Sequence, residues 1–571
     1  MPKKKTTLDE VITNFNSAWE YTQSSWHKRW EDSHRLYNNN RVKYGYEGIT
    51  DTFIPMAFST VETLTAGLFG SKPRFNFDPP HEKQAQPTEI LNALLDYYWD
   101  KDQWSLKTIN TGRSMFKLGT AVDYFYWESD HPCLINVPIR DFFIDPTATC
   151  LDDARFCGRR YLTTIEELRD FEVVDLEAGE DEFGNFQMKK KYNNLDKIKS
   201  GAKGENTDKE EKDMWYGSTL NNAKESQVEV IEYWTKDECV SVANRSTVIE
   251  DSENYFKQKD RANGSDYPEG LLPFADARDY TDESLFYAKG EIDIIAGQQE
   301  LLNDLTNQNI DSITYTLNQM YTLDPSYAHL INEIENIPGA IYPVPQNALL
   351  PIPQRSIPPD AFNERLNIKN EIRETTASNE VVKGVGTQQT GDATATEINA
   401  QIAGASQRLS LKVTQIENGY FYRVAKIVFR MVQLYVTEPM MIKIIGKDGV
   451  KWEEFDPSEF DGDYEPRIQL ETSLQYKKQQ ESMDAKELLA AFLNDPDVNQ
   501  QELKKLVLTK SFDLDPDEVD RLMEVPQGME QGMEDIPEEL LEGELLDQEV
   551  TPEMLPAEVP LELPPELEGL I

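Results

Sequence analysis

Cysteine is scarce in this 571-residue chain: four residues, too few for a disulfide scaffold at such a length. Histidines stand only at positions 27, 34, 81, 131 and 329, so general-base candidates are sparse. No run of about 18 apolar residues occurs, and no membrane span is expected. No apolar signal region follows Met1-Pro-Lys-Lys-Lys5, so secretion is not expected and a reducing cytoplasm is. His-Glu-x-x-His and Gly-x-Ser-x-Gly are both missing. Gly386-Thr-Gln-Gln-Thr-Gly391 has the glycine spacing of a phosphate-binding loop, but Asp392-Ala393 follow where Lys-Ser/Thr should, and the acid repels phosphate. Positive charge is short as well: 57 Lys and Arg face 103 Asp and Glu, a net charge of −46 that excludes a general nucleic-acid binder. His131, Cys133, Cys150 and Cys157 lie close enough to raise a zinc question. Their spacing departs from paired C-x₂₋₄-C arms, Cys133 and Cys157 read as small buried hydrophobes, and no metal or cofactor is expected. The sum of these absences is a chain that is not an enzyme.

What is present concentrates in 285–437. From Leu285 to Met320 there is no proline, and Ala288, Ile292, Ile295, Leu302, Leu305, Ile313 and Leu317 recur at helical steps. Prolines 325, 338, 343, 345, 351, 353, 358 and 359 then exclude helix across 321–359. Helical pattern resumes at Asp360 and runs to about Val382, giving an out-and-back excursion with an extended tip. Between Lys289 and Arg355 there is no Lys or Arg, while Glu291, Asp293, Glu300, Asp304 and Asp311 alternate with Gln298, Gln299, Asn303, Asn307, Gln308 and Asn309. Missing cations remove the contacts by which proteins grip a polyanion, so such a surface suits DNA that must slide; an acidic hairpin in an ordinary bundle is the plainer alternative. A Gly/Thr loop follows (Gly384, Gly386, Gly391). Thr394 with Glu397 fits a capping box, and the helix it opens runs to about Val436, with Gly404 and Gly419 as bend points.

This order of parts resembles the portal proteins of tailed bacteriophages, podovirus-type. The matching pieces are Tyr287-Ala-Lys-Gly290 leading into Gln298–Leu305, then Pro338-Gly-Ala-Ile-Tyr-Pro-Val-Pro345, then Lys383-Gly-Val-Gly386 leading to Ala393–Ile398. Phe142–Pro146 and Asp152–Leu162 add further likeness. The resemblance implies an α+β portal-type fold: wing 1–284, stem helix 285–320, clip 321–359, stem helix 360–383, tunnel loop 384–396, kinked wing helix 397–437, wing strands 438–472 and crown helices 473–523. It further implies a homo-oligomeric ring, of twelve subunits in the family, at one capsid vertex. Gln388, Gln389, Thr390, Asp392, Glu300, Asp304 and Asp311 would line the DNA channel, and Pro338, Ile341, Tyr342 and Val344 would meet partners at the clip. Expected partners are the terminase large subunit, tail adaptor proteins, major capsid and scaffolding proteins, and double-stranded DNA in transit, with no membrane. Localisation would be the virion, after assembly in the host cytoplasm. The rival readings are another virion structural protein (tail adaptor or scaffold) and a divergent metal-dependent nuclease.

The remaining stretches are plainer. Leu8–Asn39 is helical with an aromatic stripe (Trp19, Trp26, Trp30, Tyr37) that reads as core or subunit seam. Phe53–Phe69, Thr88–Asp100 and Leu106–Leu118 are helices, the last ended by Gly119. Ala121–Glu128, Cys133–Val137, Gln227–Tyr233 and Glu238–Ile249 alternate as strands. Residues 177–225 are charge-rich and read as a mobile loop. Met440–Ile445, Lys451–Phe455 and Arg467–Leu470 are short strands, with Lys447-Asp-Gly449 as a turn. From Glu524 to Ile571 there are fifteen acids and no base, an expected disordered tail.

Overall fold

The computed structural model describes residues 5–40, 50–78, 87–128, 130–174, 188–198, 227–257, 270–318, 320–331, 345, 347–352, 359–376, 410–436, 440–446, 449–455, 465–470 and 505. All but the last belong to one unit, Met1–Lys477. The expected crown helices and acidic tail lie outside the described residues, apart from Lys505.

The first helix, Leu8–Thr22, is capped by Thr7, whose hydroxyl accepts the Glu10 amide, and continues through a π turn into Lys28–Tyr37. Its aromatic stripe is core: Trp26 and Trp30 are buried and meet the Tyr287 ring at 5.6 and 5.3 Å. Helices Met56–Phe69, Pro87–Lys101 and Trp104–Leu118 follow. The second of the four expected helices starts at Met56 instead of Phe53, because Pro55 precedes it and Phe53-Ile54 are used elsewhere, as described below. Gly119 ends the Trp104–Leu118 helix at φ +85°, and a Cβ there would stand 2.1 Å from the Ala288 carbonyl oxygen. Only glycine fits that conformation and that approach together.

Two antiparallel sheets of three or more strands, with two-stranded ribbons beside them, form the described β part. The larger runs in the order Thr247–Glu253, Glu238–Ala243, Gln227–Trp234, Cys157–Thr164, Phe142–Ile144. Sequence alternation merged the first two into one strand; the chain in fact turns at Asn244-Arg245, both in the left-handed region (φ 48° and 54°), as a two-residue hairpin requires. The second sheet orders Phe274–Arg278, Thr120–Glu128 and His131–Val137. Strand Arg74–Asp78, absent from the sequence reading, pairs with Glu465–Gln469 and buries Phe75 and Phe77. The hairpin Met440–Gly446/Gly449–Phe455 pairs Gly446 with Gly449 at its closed end.

The stretch read as a mobile loop is partly built into this body. Met188–Lys190 pairs with Glu172–Val174, and Lys191 is buried against Glu232 (3.4 Å) and Glu250 (3.7 Å). Glu232, fully buried, also takes the Arg159 guanidinium (2.7 Å) and the Tyr124 hydroxyl (2.9 Å). Burial works against its charge, but Arg159 and Lys191 outweigh it and hold the carboxyl down at about 2. A second polar hub is Asp123, which accepts from Thr111 (2.6 Å), Tyr420 (2.6 Å) and Asn136 (2.7 Å). It joins a helix, a strand and the C-terminal wing helix at one carboxylate. Burial raises it to about 6 even against those three donors.

Ser410–Gln415, the π segment Ile416–Phe421 and helix Tyr422–Tyr435 form the described part of the expected kinked wing helix. Gly419 sits inside the π segment, where a wider turn is inserted into the helical ladder. Gly404 lies outside the described residues. No described helix is long and apolar enough to cross a membrane.

Candidate functional site

The out-and-back excursion begins later than its sequence pattern. Leu285–Lys289 is a strand paired with Tyr280–Asp282, and the long helix is Glu291–Leu317. The strand fits both periods at once (Phe286 and Ala288 buried), but Gly290 interrupts it: the Asp293 carboxylate accepts the Gly290 amide at 3.0 Å and caps the helix there. A Cβ on Gly290 would meet the Gly119 nitrogen and Phe116 oxygen at 2.8 Å, so helix start and neighbouring helix end abut through two glycines.

The amide-rich face of this helix does not meet solvent. Gln299, Asn303 and Asn307 are buried and, with Asp311, stand four residues apart on one stripe. They hold the non-helical segment 50–57 by its backbone. Asp311 accepts the Thr50 amide (2.8 Å), Asn307 that of Thr52 (2.8 Å), Asn303 that of Ile54 (3.0 Å) and Gln299 that of Ala57 (3.1 Å). Asn307 and Gln299 also donate back to the Thr52 and Ile54 carbonyls at 3.0 and 2.7 Å. Four helical residues rise about 6 Å and two extended residues span about 6.6 Å, so the two periods match over Thr50, Thr52 and Ile54; Gln299 takes the Ala57 amide three residues on, inside the first turn of the Met56–Phe69 helix. These amides, expected on a surface past which DNA slides, therefore satisfy the protein's own backbone.

The acids divide similarly. Glu291 is buried with Asp279, and both bind Lys412, with Glu291 at 2.9 Å; Lys412 also lies 3.8 Å above the Tyr280 ring. Burial, with Glu291 beside it, pushes Asp279 far above the carboxylate range in spite of Lys412. Of the expected channel residues, Glu300 pairs with Arg35 (2.7 Å), Asp311 serves the Thr50 amide, and Asp304 is half-buried. Gln388, Gln389, Thr390 and Asp392 lie outside the described residues, as do Pro338, Ile341, Tyr342 and Val344 at the tip.

Burial fades along the helix. Residues to Asn309 alternate buried and open, whereas Ile313–Leu317 are all exposed. Ile294, Leu301 and Tyr315 share one seven-residue register, with Gln308 at the position between the last two, and are 38%, 49% and 51% exposed; Leu317 is 76% exposed. At the tip, Tyr321–Leu323 and Leu349–Pro351 pair antiparallel, joining the two ends of the proline-rich insert. The returning helix, Pro359–Thr375, exposes Leu366 and carries Arg365, Lys369 and Arg373 at four-residue steps, so the absence of cations holds for one of the two helices alone. Burial, with Arg365 and Arg373 alongside, lowers Lys369.

A two-helix excursion with a strand-paired, proline-rich tip, set on an α+β body and followed by a helix with an inserted wide turn, is the arrangement already read from the residues. The sequence model of the phage SU10 portal protein family matches residues 113–509, well over half of the chain. The chain belongs to this family of podovirus-type portal proteins. A comparison with curated proteins finds no match. A phage portal is a structural part of the virion, not an enzyme, and the mixed helix and sheet described above is its α+β fold.

Sequence reasoning missed the clasp on 50–57 and the Asp279–Glu291–Lys412 cluster. The first had a visible signal: Gln299, Asn303, Asn307 and Asp311 at steps of four, a polar stripe more regular than solvation needs. The second had none, since its residues come from three distant stretches.

Proposed function

We propose that copies of this portal chain assemble as a ring at one capsid vertex and form the channel through which the genome is packaged and ejected. In this reading 285–320 and 360–383 are the stem, 321–359 the clip, 384–396 the tunnel loop and 473–523 the crown. The observation that carries it is the exposed apolar line Ile294, Leu301, Tyr315 on the long helix, with Leu366 exposed on the returning one. A lone soluble protomer gains nothing from such a line; a neighbour packed side by side covers it. Charge supports the same contact. One helix has acids and no cation, the other a basic stripe at Arg365, Lys369 and Arg373, so adjacent copies present opposite signs.

The clip would receive the terminase large subunit during filling and tail adaptor proteins afterwards, with Pro338, Ile341, Tyr342 and Val344 at that surface. A partner strand could add to the edge of the short tip ribbon. Glu300, Asp304 and Asp311 would contribute negative potential to the stem, and Gln388, Gln389, Thr390 and Asp392 a neutral-to-acidic lining at the loop. The channel would thus lack phosphate-gripping cations at those positions.

The deciding experiment is electron microscopy of the purified full chain, viewed down the axis. Annular particles are expected. Leu301→Asp with Tyr315→Asp should give folded monomers, judged by circular dichroism and sedimentation. Lone monomers of the unaltered chain under every assembly condition would overturn the reading. Replacing Gln388 and Gln389 with Lys should slow packaging in a reconstituted assay, and unchanged packaging would remove that loop from the channel.

A further inference from the structure

The end of the Thr120–Glu128/His131–Val137 hairpin gathers side chains that the portal function does not use. Glu128 lies opposite His131 and Tyr126 opposite Cys133 in the register, so Glu128, His131 and Cys133 share one face beside the turn. The Cys133 sulfur stands 3.4 Å from His131 Nε2 and 3.6 Å from Glu128 Oε2. Asp102, from the turn before the Trp104–Leu118 helix, brings a carboxylate oxygen within 4.8 Å of the His131 and Cys133 ligand atoms. With Zn–S about 2.3 Å and Zn–N about 2.0 Å, neighbouring ligand atoms of a tetrahedral ion stand about 3.5 Å apart. The two measured edges have that length.

We propose that Asp102, His131 and Cys133, with Glu128 as fourth ligand, form a Zn²⁺ site that ties the hairpin end to the helical turn beside it. The donor set is of the kind zinc takes: one thiolate, one imidazole and carboxylates, all protein-supplied, as in a closed structural site. Three supporting details concern orientation. His131 places Nδ1 3.0 Å from Asp130 Oδ1, which leaves Nε2 aimed at the sulfur, the carboxylate–imidazole arrangement that fixes a metal-binding ring. Asp130 is itself held by Lys101, and Glu128 by the Tyr126 hydroxyl at 3.0 Å. Asp102 is fixed by Trp104 Nε1 (2.7 Å), the Leu134 amide (2.9 Å) and Lys107 (2.6 Å), which hold its carboxylate beside the other two. Cys150 and Cys157, which sequence spacing grouped with Cys133, take no part. Cys157 is buried in another cluster, among Phe142, Trp234 and Phe274.

The test uses the purified, chelator-treated full chain and Co²⁺ as a spectroscopic substitute. A thiolate-to-cobalt charge-transfer band with the d–d spectrum of a tetrahedral ion is expected, and both should vanish on adding Zn²⁺. Cys133→Ser and His131→Gln should each remove the thiolate band or the tetrahedral spectrum while circular dichroism of the metal-free proteins stays unchanged. Asp130→Asn keeps every ligand and should weaken Zn²⁺ affinity about 10-fold or more. No thiolate band in the unaltered chain, or a band that persists in Cys133→Ser and so belongs to another cysteine, overturns the proposal. So does equal Zn²⁺ affinity in Asp130→Asn and the unaltered chain.

Discussion

The two halves of the Glu291–Leu317 helix are built on opposite terms. As far as Asp311, the helix is held within its own chain by a glycine cap, a lysine between two carboxylates, and four side chains laid along the backbone of 50–57. Beyond it the helix carries Ile313, Tyr315 and Leu317 in the open, and the tip adds Met320, Tyr321, Ile331 and Leu350. The first is anchored in the body, with Ile294 and Leu301 still exposed on its outer face; in the proposed ring a neighbour would cover the second. A single helix can therefore anchor in a body and serve an assembly, with polar satisfaction marking the anchor and unspent apolar area marking the seam.

That contrast can be broken most forcefully at Lys412. Lys412→Met leaves Asp279 and Glu291 without their cation and should lower stability by about 3–5 kcal/mol in urea unfolding. Adding Asp279→Asn should restore part of it, and no restoration would mean the cluster is not electrostatic in origin. Next is Asp123. Its folded pKa, about 6, lies above the ordinary 3.8, so the folded state holds the proton more tightly. Its contribution is fully present below about pH 4 and is lost as pH rises to about 6, roughly 2–3 kcal/mol across that window. Asp123→Asn should flatten that part of the stability profile. Asn303→Leu strips the Ile54 amide of its acceptor and should cost about 1–3 kcal/mol. Hydrogen exchange should quicken at residues 52–57 and leave Trp104–Leu118 unchanged. The smallest stability effect belongs to the outer half: Tyr315→Asp should stay within about 0.5 kcal/mol for the monomer and yet abolish rings on a sizing column. A large loss of monomer stability there would erase the distinction between the halves.

How much of this could be read beforehand depended on the range of the interactions. The Gly119 stop, the Thr164 cap, completed by Glu167 as a capping box, and the alternation of Val228 and Val230 are local, and the structure repeats them. Boundaries moved where two local signals competed: Leu285–Lys289 satisfies helix and strand periods, and the partner strand Tyr280–Asp282 decided it. Arg74–Asp78 had a strand pattern, with Phe75 and Phe77 buried, but the preceding Gly-Ser-Lys-Pro masked it. Lys191, inside a stretch whose composition argued for mobility, is fixed by Glu232 and Glu250, over forty residues downstream. The amides of the long helix were correctly seen as unusual and assigned to the wrong neighbour, because composition reports polarity and not which backbone will use it. Gln388, Gln389, Thr390 and Asp392 of the loop and Pro338, Ile341, Tyr342 and Val344 of the tip lie outside the described residues, and their assignment rests on the order of the parts.

The clasp on 50–57 has a mechanical corollary. Its rungs stand four residues apart on the helix, so the long helix cannot glide against that segment by small amounts; every intermediate offset strands several amides at once. Re-engagement comes only after an axial jump of about 6 Å, one helical turn. If passing cargo tugs on the outer half, the inner half answers as a detent does, holding still and then clicking over by a whole notch.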